Sequence, residues 1–250
     1  MTNQDDGIPF AVDGDERCLM LFAKNWPTVP NLVHGFSARC PDGLQTTDIA
    51  KHLGVAGTKI ETIKQVHSDR IQLVTGDQSD AAIEADGMLT NMPNRLLTIR
   101  TADCVPVLIS VPRAKIVGAI HAGLRGTAKG ICAKAITLCK ETWNIMPEDI
   151  WVAMGPSISG CCYEIEHTVA KPLLARWGDG NDRTWRKNGH KGYLDLRSIN
   201  RNQLTLMGIP SQNIENIGCC THCHPAVYES YRRDGPKAGR HLSTIGWTSD

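Results

Sequence analysis

Two largely apolar seven-residue runs, Val105–Val111 and Ile116–Ala122, stand only four residues apart across Pro112–Lys115. Runs of this length around so short a connection read as the two arms of an antiparallel hairpin, and any fold open to the chain must bury that pair. If Val111 faces Ile116, residue 106 lies opposite His121. Cys104 shares a face with residue 106 and becomes the diagonal neighbour of His121, roughly 7–8 Å away at the backbone. A slip of one residue would set the two on opposite faces.

Further strands are expected at Arg70–Thr75, Leu96–Arg100 and Asp149–Met154. A helix should begin after Gly126 with Thr127 as its cap, place Ile131, Ala135, Leu138 and Cys139 on one face, and end near Trp143 and Asn144. A second helix is expected over Asp195–Met207, where Leu196, Ile199, Leu204 and Met207 follow a helical period before Gly208. Arg176–Lys191, polar and rich in Gly and Asn, reads as an exposed loop. Strands that precede the main helices favour an α+β fold of mixed β-sheet layers with flanking helices. No repeat, low-complexity tract or linker interrupts the sequence, so one domain over residues 1–250 is the simplest organisation.

Three strand-and-turn segments carry soft ligands: KQVHSDRI with His67, RTADCVPVLI with Cys104 and VGAIHAGLRG with His121. Taken singly, each residue is ordinary core, since cysteine is among the most buried types and an isolated histidine is usually structural. Together, one thiolate and two imidazoles suit zinc, and three protein ligands leave a fourth position for water or substrate, the pattern of a catalytic site. The AGLRGTAKG turn that follows places Arg125, Gly126 and Thr127 at a helix start, where backbone N–H groups, with Lys129 nearby, favour an anion such as phosphate; a tight strand-to-helix turn is the plainer reading of its glycines. Asp103 reads as an orienter of a metal ligand or as a turn-forming residue.

Two more clusters stand out. CCTHCHP gathers Cys219, Cys220, His222, Cys223 and His224, but no second C-x-x-C pair lies at zinc-ribbon spacing, and Cys161 and Cys162 are adjacent to each other, so packed thiols are expected there. Arg232, Arg233 and Asp234 in ESYRRDG suit either a phosphate clamp or a buried ion pair, and the ion pair is favoured because neighbouring arginines on a strand point to opposite faces.

A formal charge of +1 with interspersed signs provides no broad field for nucleic acid or anionic lipid, and three Phe with four Tyr leave little to stack on single-stranded bases. No stretch approaches the roughly 18 apolar residues of a membrane span, and MTNQDDGIPF opens on acids where an export signal carries a basic run, so a cytoplasmic protein without membrane attachment is expected. In a chain of this size most of the ten cysteines should be reduced.

The ordered segments HGFSAR, KQVHSDRI, ADGMLT, TADCVPVLI, VGAIHAGLRG, MGPSISGCCYEI, LDLRSINRNQL, CTHC and SYRRDGPKAGR make the chain similar to the YfiH-type, or laccase-domain, family. Those proteins are also called multicopper polyphenol oxidases and are linked to purine nucleoside phosphorylase activity. The resemblance implies a single α+β domain, a zinc site at His67, Cys104 and His121, and phosphorolysis of adenosine, inosine or methylthioadenosine together with adenosine deamination. Either reaction uses the metal as Lewis acid and template. Purine nucleoside and phosphate are the expected partners, of a monomer.

Four rival readings remain: a metal-free Cys104–His121 hydrolase or amidase, editing of a cell-wall precursor by such an amidase, a copper-dependent polyphenol oxidase, and a non-enzymatic interaction module whose metal site is closed by a fourth side chain. The chain departs from the family pattern with Leu124 for a tryptophan, Ala238 for a threonine, Glu229 where an aromatic is common, and CPDGLQTTDIAKHLG in place of a glycine-rich, asparagine-containing loop.

Overall fold

The structure is a computed structural model that describes residues 19–40, 43–76 and 83–249. The MTNQDDGIPF segment lies outside the described residues, as do Pro41 and Asp42 of the CPDGLQ stretch. The hairpin forms over Val105–Val111 and Ile116–Ala122, with Val111 opposite Ile116 and Pro106 opposite His121. It is the centre of a six-stranded sheet whose order is Ile214–Asn216, Trp151–Met154, Val105–Val111, Ile116–Ala122, Gly87–Thr90 and Ile71–Leu73. Only its two edge pairings are parallel.

A second sheet of five strands runs Met20–Leu21, Leu32–Ser37, His241–Trp247, Arg95–Thr101 and Lys59–Glu61. The period of two explains how the sheets stack. Leu108, Val117 and Ala119 point toward the five-stranded sheet and join Phe36, Leu97, Ile99, Ile245 and Trp247. Val107, Ile109 and Ile120 point the other way, onto the helices Ile131–Trp143 and Leu196–Leu206. Every residue of both hairpin arms is buried. Each fully buried aliphatic side chain contributes about 1.5–3 kcal/mol, so this double-faced burial fixes the register that sets Cys104 beside His121. On the far face of the five-stranded sheet Leu96 and Leu242 pack with Ile49 of the helix Thr46–His52. The layers are therefore helix, sheet, sheet and helices: a mixed α+β fold.

Several boundaries differ from expectation for physical reasons. The helix after Gly126 is two helices, Leu124–Lys129 and Ile131–Trp143, divided at Gly130, whose φ of +86° lies in the left-handed region. Gly123 is the N-cap residue, so Thr127 sits inside the first helix and does not cap it. Its hydroxyl instead bonds with Asn200 at 3.3 Å in the interior. The helix Leu196–Leu206 matches its expected span and is capped by Asp195, which accepts from the backbone N–H of Ser198 at 3.0 Å. Arg176–Lys191 is not one loop. Arg176 and Trp177 end the helix His167–Trp177, and Trp185–Asn188 pairs with Lys191–Leu194, itself paired with Glu164–Glu166, in a small three-stranded sheet. Among the described residues eight cysteines are free and Cys40 is disulfide-bonded. No helix of the described residues is long and apolar enough to cross a membrane.

Candidate functional site

The three soft ligands come together as the hairpin register requires. Ligand atoms of His67, Cys104 and His121 lie within 4.8 Å of one another, and the two imidazole centroids are 4.8 Å apart. Cys104 stands just before the Val105 strand and His121 near the end of its partner, while His67 enters from the turn ahead of Ile71–Leu73. His121 is buried, Cys104 half-buried and His67 exposed, so the cluster is open on one side.

Asp86 organises this arrangement, a role that the sequence offered to Asp103 alongside that of a turn-forming residue. The Asp86 side chain is fully buried and meets His121 Nδ1 at 2.8 Å. It also accepts from the backbone N–H groups of His67 at 2.9 Å and Ser68 at 2.5 Å, and from the Ser68 hydroxyl at 2.7 Å. One carboxylate thus turns His121 so that Nε2 faces Cys104, and it also pins the His67 turn, where φ is +56°. A left-handed conformation at a non-glycine residue costs roughly 1–2 kcal/mol, which these bonds offset. Asp103, in a turn at φ +87°, bonds other groups: it accepts from the Thr221 hydroxyl at 2.6 Å and the Arg232 backbone N–H at 2.6 Å.

Burial works against ionisation of the Cys104 thiol, but hydrogen bonds with His121 and His67 outweigh it and bring its pKa down to about 6. Burial likewise disfavours a charged His121, yet Asp86 and Cys104 raise it to about 9. Desolvation opposes the Asp86 carboxylate, and the bonds from His121 and Ser68 still hold it below the ordinary range. A thiolate next to an imidazole held by a carboxylate is the ligand chemistry that zinc and copper sites use. The space fits as well. A Cβ at Gly123 would come 2.8 Å from His67 Nδ1 and 3.0 Å from Cys104 Sγ, so only glycine leaves this cradle clear.

The cluster lies in the wall of a cavity of about 780 Å³. Ile63, Ile158, Leu196, Tyr163 and Tyr231 provide its apolar and aromatic surface, Arg100, Arg232 and Arg240 its positive charge, and Asp103 a carboxylate. The Arg232 guanidinium lies 4.8 Å from the centre of the Tyr163 ring. Among the described residues no carboxylate pairs with any of the three arginines.

Arg125, Gly126 and Thr127, expected to hold an anion, do not line this cavity: Arg125 is exposed, and Gly126 and Thr127 are buried. The two arginines of ESYRRDG lie on a helical turn, Tyr231–Asp234, and not on a strand, and they reach different surroundings. Arg233 bonds the carbonyls of Thr221, His222 and Tyr228 and pairs with Asp234 at 2.7 Å. Arg232 reaches the cavity. Asp86, Tyr163, Arg100 and Arg240 escaped sequence reasoning. Asp86 lies inside the ADGMLT segment, just before the strand Gly87–Thr90, with no local signal to mark it.

Known proteins resemble this chain over most of its length. Residues 45–248 match the family described as multi-copper polyphenol oxidoreductase laccase. The chain is 38% identical over 198 residues to the purine nucleoside phosphorylase YlmD of Geobacillus stearothermophilus, covering 74% of this chain and 72% of that one. It is 32% identical over 219 residues to the adenosine deaminase RL5 of an unknown prokaryotic organism, covering 82% of each. The crystal structure of YlmD from Geobacillus stearothermophilus superposes with a TM-score of 0.85 at 29% identity, over 96% of this chain and 99% of that one.

Proposed function

The chain belongs to the multi-copper polyphenol oxidoreductase laccase family, and on that premise we propose that it is a zinc-dependent phosphorylase of purine nucleosides such as adenosine, inosine or methylthioadenosine. The observation that carries this reading is the cavity, which sets a three-ligand centre, two tyrosines and three arginines around one space. Its volume of about 780 Å³ falls in the range of small-molecule sites, roughly 300–1,000 Å³.

Each part has a task. A zinc ion held by His67, Cys104 and His121 would supply Lewis acidity at the reacting end of the substrate. The arginines suit phosphate, because guanidinium groups make paired charge-assisted hydrogen bonds to its oxygens. The phenol of Tyr163, pushed up to about 12 mainly by burial, stays protonated at neutral pH and offers a donor as well as a ring face. Asp86 keeps the His121 ring fixed, so the site needs little reorganisation when substrate binds. The likeness to an adenosine deaminase supports a second reaction in the same cavity, which consumes water and no phosphate.

Adenine and inosine formed from adenosine should be followed over a phosphate titration, with metal-depleted and zinc-reloaded protein. Arg232→Ala removes a charge-assisted contact worth about 1.5–3 kcal/mol, so phosphorolysis should slow about 10- to 200-fold and deamination much less. Arg125→Ala should leave both rates unchanged. Full activity after metal removal would point to Cys104 and His121 acting as a nucleophile–base pair and would end the zinc reading.

A further inference from the structure

We propose that Cys161, Cys162, Cys220 and Cys223 bind a structural zinc ion that ties the 157–163 loop to the 217–224 loop behind the cavity wall. Cys132 and Cys139 are fully buried as packed thiols are, whereas the cysteines of the CCTHCHP cluster and Cys161 and Cys162, for which packing was expected, are more open. Cys161 and Cys223 are exposed, Cys162 is half-buried, and only Cys220 is buried. Thiols that pack as small apolar groups are withdrawn from water, whereas these converge at the surface on one point.

All four sulfurs lie within 4.8 Å of one another, with Cys162 and Cys223 at 3.2 Å and Cys161 and Cys223 at 3.5 Å. Four thiolates around tetrahedral zinc, at about 2.3 Å from the ion, stand about 3.8 Å apart, so small shifts complete the shell. None of the four is in a disulfide. The backbone N–H of Ser159 points at Cys220 Sγ at 3.4 Å, the kind of contact that supports a thiolate ligand. The missing second C-x-x-C pair is supplied by tertiary structure: Ser157 and Cys220 form a parallel bridge that carries Cys161 and Cys162 to the turn holding Cys220 and Cys223.

Four protein ligands close the shell, which marks a structural ion and not a catalytic one. Its position explains its use. Tyr163, next to Cys162, lines the cavity, and Thr221, next to Cys220, bonds Asp103 beside Cys104. The site shares no ligand with the His67–Cys104–His121 cluster, and the proposal does not rest on the phosphorylase reading.

The test is metal content and cobalt spectroscopy on the full chain, purified and then loaded with zinc or cobalt alone. Wild type should hold two equivalents, the His67→Ala/His121→Ala variant one, and the Cys161→Ser/Cys223→Ser variant one. Cobalt in the histidine variant should show the intense thiolate charge-transfer and tetrahedral bands of a four-sulfur site, a readout that stands even where the cysteine variant fails to fold. A single equivalent in wild type that the histidine variant loses entirely would overturn the proposal. So would a disulfide between Cys223 and Cys161 or Cys162 found by mass spectrometry in freshly purified, zinc-loaded protein.

Discussion

A methyl group at position 123 would intrude on His67 Nδ1 and Cys104 Sγ at 2.8 and 3.0 Å, although the backbone there, at φ −79°, accepts any residue. Gly123→Ala therefore separates ligand geometry from folding. Zinc affinity, measured by competition with a chelator, should fall about 10- to 100-fold, the loss typical when ligands are misoriented, while thermal unfolding of the metal-free protein should hardly move. An unchanged affinity would show that the cradle is wider than its glycine suggests. The three ligands were legible in the sequence only as a set: His67, Cys104 and His121 are one thiol and two imidazoles in strand-and-turn segments. Asp86 was not, because nothing local distinguishes a carboxylate that meets His121 across two strands. Glu229, a departure from the family pattern, finds its reason only in three dimensions. It binds the Arg39 guanidinium at 2.7 and 3.0 Å and accepts from Gly239 N–H at 3.1 Å, joining the end of one strand to the turn before another.

At the scale of elements, the arms of the hairpin were readable to the residue as two apolar runs about a short connection, while the register was a supposition that the structure bears out in the pairing of Val111 with Ile116. The helix behind it was readable in extent but not in continuity. Its period gives the buried face of Ile131, Ala135 and Cys139, whereas the break at Gly130 depends on Trp177, a residue of another helix. A Cβ at Gly130 would approach the Trp177 ring at 2.6 Å and would also occupy φ +86°. Gly130→Ala should thus lower unfolding stability by about 1–3 kcal/mol in denaturant titration. A neutral result would mean that the two helices can fuse into one and that the break carries no strain. The ESYRRDG turn teaches the converse: taken as a strand it sends Arg232 and Arg233 to opposite faces, and as a helical turn it also parts them, for a different reason.

For the whole molecule, the two sheets share an apolar interior, and a titratable group buried against it favours its neutral form. His241 is the clearest case. It begins the strand at the centre of the five-stranded sheet, is 2% exposed, and accepts the Glu229 backbone N–H on Nε2 at 2.8 Å, which requires the neutral ring. Burial lowers its pKa to about 4, against partial opposition from the charges of Glu229 and Asp103. In the unfolded chain the same ring titrates near 6.5. Between these values the unfolded state binds a proton that the native state refuses, so stability rises with pH there. The contribution of His241 is complete above about pH 6.5, is lost as pH falls toward about 4, and amounts to roughly 3 kcal/mol at most. Asp86, whose pKa is held below the carboxylate range, adds its own loss only at still lower pH, which keeps the two effects apart. His241→Gln cannot take up a proton. Its unfolding free energy, from denaturant midpoints at successive pH values, should decline less steeply than that of wild type between pH 6.5 and 4, and the metal centre and remaining acids contribute equally to both. Parallel curves through that window would mean that His241 protonates in place without disturbing the sheet, and that the acid limit of this fold is set elsewhere.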